Sequence, residues 1–372
     1  MGNSLTQAPG AAGRIQYIDA MRGFTMVLVV LAHVLLFMSP KHWDGSPAAA
    51  VLLSFRMPLF FFISGYFAYK AVDRWTASVV SDIMIRKLRA QVLCATLFFM
   101  LFAYVNHTDV FDFAKTGYGF FWFTIALFQM FVVYVALNLI SRAIRRNIVD
   151  VSLIVLACLG ACFGLEFFPV GICTVFSWHQ VIHFFPFFAA GILCREHADG
   201  LDRLLRQDWF RTLVTVVFVA GCFKFYAYGY RDPHSVPAHL LQGVAHRFSG
   251  LFTVLIFFHS RAAFFSGTSR LAVSMRFIGT RTLDIYMMHM FFMPHLAQMG
   301  WFASLGAPSM VVFKLGVTVP VALAIVGLCL LCSSVLRSSH FLSVWLWGVR
   351  NRPRVPRIQP RTDIEAETPS MA

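Results

Sequence analysis

Charged residues are scarce in this chain of 372 residues, where Asp, Glu, Lys and Arg together make up 13%. Soluble globular proteins carry about 25%, so the composition excludes an ordinary soluble domain. A regular alternation of polar and apolar positions is also lacking, which excludes a transmembrane β-barrel. The chain instead contains 58% hydrophobic residues and 41 Phe, and its apolar runs of about 18–25 residues are long enough to cross a bilayer. These features predict an all-α, polytopic transmembrane helix bundle.

Several sequence signatures of chemistry are missing as well. No spacing of His, Cys, Asp and Glu is typical of a metal site, so no metal is expected. No Gly-rich phosphate loop follows a strand, and no GxSxG elbow is present. The 8 Cys lie in or at the edges of apolar runs, which is not the pattern of a disulfide framework.

The apolar runs predict about ten spans joined by short loops. A short cytoplasmic lead over residues 1–16 precedes a transmembrane domain over 17–337. A Pro-rich, charged tail over 350–372 has the composition of a disordered segment. The predicted spans are 20–38, 50–70, 90–106, 119–140, 149–167, 179–194, 212–230, 247–265, 278–298 and 309–334.

The net charge of +14 would suit nucleic acid, but the positions of the charges argue against that partner. Lys and Arg cluster in alternate loops, which is the positive-inside distribution of a membrane protein. The lipid bilayer is therefore the expected partner, and both termini are predicted to be cytoplasmic. Within one of these basic loops, residues 195–211 have the spacing of an amphipathic surface helix.

Arg22 and His33 are the first candidates for chemistry, because both lie in the first predicted span. Eleven residues of continuous helix separate them by about 16 Å and about three turns. Arg22 is then expected at the cytoplasmic mouth, while His33 lies deep on roughly the same face. Ionisable groups at depth usually face a cavity or the bundle interior, and imidazole suits general-base work. A core histidine bonded to a neighbouring helix explains the same spacing.

Arg86, Lys87 and Arg89 stand where the third span begins. Arg86 and Arg89 are i,i+3 neighbours that could face one point, and a guanidinium pair is well shaped for phosphate. Three cations at a membrane edge also serve simply as orientation signals, and without other support this second interpretation is favoured.

Further polar residues lie within apolar runs. His289 and Asp284 of the ninth span either line the same cavity or tie that span to its neighbours, and the second interpretation is favoured. Arg56 is either an anchor at the outer side or a polar group at a cavity mouth. Gly65, next to Ser64, predicts a close approach of helices.

An ordered set of segments resembles the acyltransferase 3 family of integral membrane acyltransferases, including its fucose 4-O-acetylase-like members. The first span, YIDAMRGFTMVLVVLAH, resembles the opening of the family, in which ten residues separate an Arg from a His. FRMPLFFFISGYF resembles its second-span signature and RKLR its Arg-x-x-Arg pair. FFWFTIALF, HFFPFFAAGIL and IGTRTLDIYMMH resemble later segments in the same order.

The resemblance implies transfer of an acyl group, in the first instance acetyl, from cytoplasmic acyl-CoA to a hydroxyl. The acceptor would be a glycan, a lipid-linked sugar or another component of the cell envelope, and the location a bacterial inner membrane. Carried over, Arg22 and His33 match the essential pair of the family. His33 would be the general base or would carry the acyl group transiently, and Arg22, the second catalytic residue, would orient the donor or stabilise the developing oxyanion. Arg86, Lys87 and Arg89 would bind the donor.

Two other functions remain open at this stage. Buried histidines on a polar path also suit a proton-coupled transporter or flippase of a glycan-like or anionic substrate, although no inverted repeat is visible. A non-catalytic partner of a glycan-assembly complex would need no CoA site. Consumption of acyl-CoA separates the enzyme from both alternatives.

Overall fold

The computed structural model describes residues 15–38, 47–70, 75–109, 118–163, 177–228, 244–293 and 311–347. Almost all of these residues are helical, and no strand occurs among them. A π-helix spans Leu88–Leu93, and 3₁₀-helices span Gly119–Phe121 and His289–Phe292. The α-helices are α1 (Gln16–Met38), α2 (Pro47–Ala68), α3 (Ala77–Lys87), α4 (Cys94–Val105), α5 (Trp122–Ala143), α6 (Val149–Phe163), α7 (Trp178–Glu196), α8 (Ala198–Arg206), α9 (Asp208–Tyr228), α10 (His246–Ser260), α11 (Ala262–Ser266), α12 (Arg270–Thr280), α13 (Thr282–Met288), α14 (Val311–Ser338) and α15 (His340–Trp347).

Five described segments are long and apolar enough to cross a membrane, which supports the prediction of a helical membrane protein. The predicted count of ten spans is not confirmed, and the orientation of the termini stays a prediction. The tail over 350–372 and residues 1–14 of the predicted lead lie outside the described residues. The five segments are Gln16–Phe37, Val51–Ala68, Ala77–Val105, Gly119–Ala143 and Gly316–Ser338.

The eighth and ninth predicted spans are each divided into two helices. At Arg261 the backbone leaves helical geometry (φ −109°, ψ 23°), so α10 ends and α11 begins. Arg281 separates α12 from α13 in the same way, with its N–H bonded to Ile278 three residues back. Hydropathy did not reveal either break, because the apolar pattern continues on both sides of each arginine.

Two pairs of glycines let helices cross at backbone contact. A Cβ added to Gly23 of α1 would lie 1.9 Å from the carbonyl oxygen of Met275 in α12, and one added to Gly279 would lie 1.8 Å from that of Asp19. Gly65 of α2 and Gly191 of α7 form the second pair, because a Cβ added to either would lie 2.0 Å from a carbonyl oxygen of the facing helix. The close approach predicted at Gly65 is therefore confirmed, and α1 and α2 each have one tightly packed partner helix.

The amphipathic helix predicted within residues 195–211 is present as α8. Leu201 and Leu205 are buried on one face. On the polar side Arg206 Nε donates to Asp202 Oδ2 at 2.8 Å, and the His259 ring lies 2.8 Å from Asp202 Oδ1. The hydrogen bond from Arg206, with that from His259, holds the pKa of Asp202 below its usual value. One carboxylate thus links α8 to the end of α10.

Candidate active site

His33 lies on α1 deep inside the helix bundle, and its side chain is partly accessible. Its Nδ1 is 2.9 Å from the Val29 carbonyl oxygen, one turn earlier on the same helix. A carbonyl only accepts hydrogen bonds, so Nδ1 carries the proton in this contact and the neutral ring keeps a lone pair on Nε2. The Val29 backbone therefore orients the ring and fixes the tautomer that a general base requires.

A second imidazole stands beside His33. His289 begins the 3₁₀-helix after α13, and its ring centroid lies 5.0 Å from that of His33. His289 is fully buried, and its Nδ1 is 2.8 Å from the Tyr286 carbonyl oxygen. Its Nε2 has no hydrogen-bond partner among the described residues. The sequence favoured a structural role for His289, but the fold brings it to the predicted base.

Asp284 lies five residues before His289 and has a different role. Its carboxylate is 1% exposed and accepts two hydrogen bonds from Arg337, each 2.7 Å long. Ser333 also donates to it, and Arg281 lies 3.7 Å away. Asp284 therefore ties α13 to α14, which agrees with the structural interpretation of this residue.

Arg56 of α2 is the third ionisable group near the two histidines, and its charge acts electrostatically on both rings. Its Nε and Nη1 atoms are buried and have no hydrogen-bond partner within the described ranges. Of the two interpretations that the sequence left open, enclosure within the bundle favours a polar role over an anchor at the membrane surface.

Aromatic residues form the wall next to His33. Phe120 meets its ring edge-on, with 6.1 Å between the ring centroids. The Tyr286 hydroxyl donates to the Phe120 carbonyl oxygen at 2.7 Å and accepts from the Phe123 N–H at 3.1 Å. The FFWF segment that opens α5 is thereby held against α13, beside the imidazole pair.

Arg22 lies toward the opposite end of α1, about 16 Å from His33 along the helix. Its Nη2 donates to Thr282 Oγ1 at 3.2 Å, and Nη1 is 3.9 Å from Asp19. Thr282 is the first residue of α13, the helix that leads to His289. Arg22 therefore couples α1 to the segment that carries the second imidazole.

The RKLR motif does not converge on one point through any contact in the described part of the chain. Lys87 Nζ lies 4.2 Å from the centroid of the Phe131 ring, and the Arg89 guanidinium lies 5.0 Å from that of Trp345 in α15. Arg86 makes no hydrogen bond or ion pair with a described residue. The motif straddles the junction of α3 with the π-helix, so the i,i+3 geometry of an α-helix does not continue through it. Neither that junction nor the contact with Trp345 could be predicted from the motif.

The comparison with known proteins identifies the family. A family model described as an acyltransferase domain matches residues 15–333. This chain belongs to that acyltransferase family. It is also 30% identical over 146 residues to the nodulation protein NolL of Sinorhizobium fredii. That match covers 36% of this chain and 40% of NolL, and no solved structure matches.

Within this membrane acyltransferase, the described residues fall into two groups. His33, His289 and Arg56 lie together inside the bundle. Arg22 lies about 16 Å from His33 along α1, and the RKLR motif makes no contact with the three residues within the described ranges. No cluster of three or more His, Cys, Asp or Glu that could hold a metal ion occurs in the described part. A chemistry based on imidazole and guanidinium is what the inner group can support.

Proposed function

We propose that this protein is a membrane O-acyltransferase that moves an acyl group, in the first instance acetyl, from cytoplasmic acyl-CoA to a hydroxyl of a cell-envelope glycan. The observation that carries the proposal is the oriented imidazole of His33 inside the bundle, with Nδ1 at the Val29 carbonyl and Nε2 left as an acceptor. Membership of the acyltransferase family supports the reaction class.

In the proposed reaction His33 Nε2 takes the proton of the acceptor hydroxyl as its oxygen attacks the thioester carbonyl. A tetrahedral intermediate forms with a negative charge on the former carbonyl oxygen. Its collapse breaks the C–S bond and releases the CoA thiolate, which takes the proton back from the imidazolium. The products are the O-acyl ester and free CoA, and the base contributes about 10²–10⁴ in rate.

Arg22, Arg86, Lys87 and Arg89 are assigned to the donor side of this reaction. Arg22 is too far along α1 to touch the atoms that react at His33, so it orients the donor and holds α13 through Thr282. The phosphates of CoA are anionic, and guanidinium groups bind phosphate through paired N–H donors. Lys87 and Arg89 are held in place by aromatic rings, and Arg86 makes no hydrogen bond or ion pair with a described residue, so all three cations can contribute to binding the donor.

The test is acyl transfer by the full-length protein in proteoliposomes, with radiolabelled acetyl-CoA outside and a cell-envelope glycan fraction within. His33→Gln should abolish transfer while the protein still elutes as a folded species in detergent. His340→Gln changes an exposed histidine on α15 and is the matched control. Full activity of His33→Gln removes the proposed base, and glycan flux without CoA release supports the transporter instead.

A further inference from the structure

We propose that Arg56 is a second catalytic residue of this site, whose guanidinium donates hydrogen bonds to the oxyanion formed on the acyl carbonyl. The inference rests on the proposed acyl transfer at His33. Arg56 of α2 would stabilise the oxyanion, a role that neither Arg22 nor His33 of α1 can fill.

The first argument is that the donors of Arg56 are buried and unused. Nε and Nη1 are closed off from solvent, and neither has a hydrogen-bond partner in the described parts of the chain. Leaving a buried donor unsatisfied destabilises a protein, and more so when the donor belongs to a charged group. Buried guanidinium groups normally have an anionic or carbonyl partner. Unused N–H donors of a guanidinium inside the bundle therefore indicate a binding position for an oxygen atom with negative charge.

The second argument is proximity to the base. The charge of Arg56 acts on both His33 and His289, whose rings are 5.0 Å apart. Helices α1 and α2 pack directly against each other. His33 of α1 and Arg56 of α2 both keep a partly accessible surface. An acyl carbonyl that is attacked next to His33 Nε2 would thus lie beside the guanidinium.

The third argument is charge balance. When His33 takes the acceptor proton, a second cation arises next to Arg56. This arrangement is unfavourable unless a negative charge forms between the two, and the tetrahedral oxyanion supplies that charge. Donors fixed in a water-poor site stabilise such an oxyanion more strongly than the neutral ground-state carbonyl. Arg22 cannot serve here, because it lies about 16 Å away along α1.

The experiment compares Arg56→Met and Arg56→Gln with the wild type in the proteoliposome assay. Loss of one oxyanion donor lowers kcat by about 10²–10³, and KM for acetyl-CoA should change little because the ground-state carbonyl gains less from the contact. Arg261→Gln removes one positive charge from an exposed position at the end of α10 and is the matched control. It should keep wild-type kcat and KM.

Thermal unfolding in detergent separates this role from a structural one. Two buried donor atoms of Arg56 have no hydrogen-bond partner in the described ranges, so replacing this cation with a neutral side chain of similar volume removes a desolvation cost. The Arg56→Met protein should therefore unfold at a temperature equal to or above that of the wild type while it loses activity. A structural arginine would give the opposite result, a lower unfolding temperature.

Each remaining outcome decides the question. Unchanged kcat in Arg56→Met, a raised KM with unchanged kcat, or a protein that no longer folds would each overturn the role of Arg56. If that happens while His33→Gln remains inactive, the proposed function survives without this residue. If the wild type transfers no acyl group, the proposed function fails and this inference fails with it.

Discussion

The contact between α1 and α12 at Gly23 offers a measurable test of how the site is positioned. In Gly23→Ala the new Cβ would lie 1.9 Å from the Met275 carbonyl oxygen, whereas real Cβ atoms essentially never approach closer than 3.0 Å. The obstacle is backbone, so the two helices must separate locally by about 1.1 Å, the difference between these two distances. Such overpacking typically costs about 1–3 kcal/mol.

The same separation would disturb the site. Arg22, next to Gly23, donates to Thr282 at 3.2 Å, and an added ångström takes this contact beyond hydrogen-bonding distance. The displacement also moves α13, and with it His289, relative to His33. A misplacement of about 1 Å can cost about 10²-fold in rate. We therefore expect Gly23→Ala to lower both the unfolding temperature and the rate of acyl transfer.

The control is Gly327→Ala in α14, where an added Cβ meets nothing within 4 Å. Removing a helical glycine there should leave stability unchanged or raise it by up to about 1 kcal/mol. The two variants are compared by thermal unfolding in the same detergent and by acyl transfer in proteoliposomes. Equal stability and activity of both variants would refute the packing argument.

Three further predictions test other contacts. Asp284→Asn removes the carboxylate that accepts both bonds from Arg337 and should destabilise the protein by about 1–3 kcal/mol in a thermal unfolding assay. The pKa of Asp202 is lower in the folded protein than in the unfolded chain, where it is about 3.9. The carboxylate therefore stabilises the fold at pH values above about 4, and this contribution is lost as the pH falls further. The stability advantage of the wild type over Asp202→Asn should be constant across neutral pH and shrink below about pH 4. Trp345→Ala removes the ring that the Arg89 guanidinium stacks on and should weaken CoA binding in calorimetry by about 2–5-fold, the equivalent of 0.5–1 kcal/mol; unchanged binding would separate α15 from the donor side.

The local features of the fold could be predicted from the sequence because they depend on regular helix geometry. The rise per residue places His33 about 16 Å above Arg22 on any continuous helix, and α1 is continuous between them. The contact at Gly65 and the amphipathic α8 follow from residue size and spacing in the same way. The family resemblance is confirmed by the match over residues 15–333.

The remaining features depend on contacts between distant segments, which periodicity does not encode. His289 is 256 positions after His33 in the numbering, and only the packing of α13 against α1 brings their rings together. The π-helix after Lys87 contains no Gly or Pro, so no residue type in this segment indicates the wider turn. Helix breaks at Arg261 and Arg281 divide apolar segments that hydropathy predicts to be single spans. The number of spans therefore depends on backbone geometry as well as on composition.

The buried ionisable groups of the bundle differ in whether hydrogen bonds and opposite charges offset the cost of their burial. This difference distinguishes structural residues from residues of the proposed active site. Asp284 is surrounded by donors that neutralise it, so its burial is compensated in the resting protein. Two donor atoms of Arg56, Nε and Nη1, are buried without such compensation in the described residues, which lowers the stability of the resting state. A complementary negative charge would remove that cost, and acyl transfer produces one only in the tetrahedral intermediate. Groups left uncompensated in the ground state are therefore the ones that can bind the transition state more tightly than the substrate.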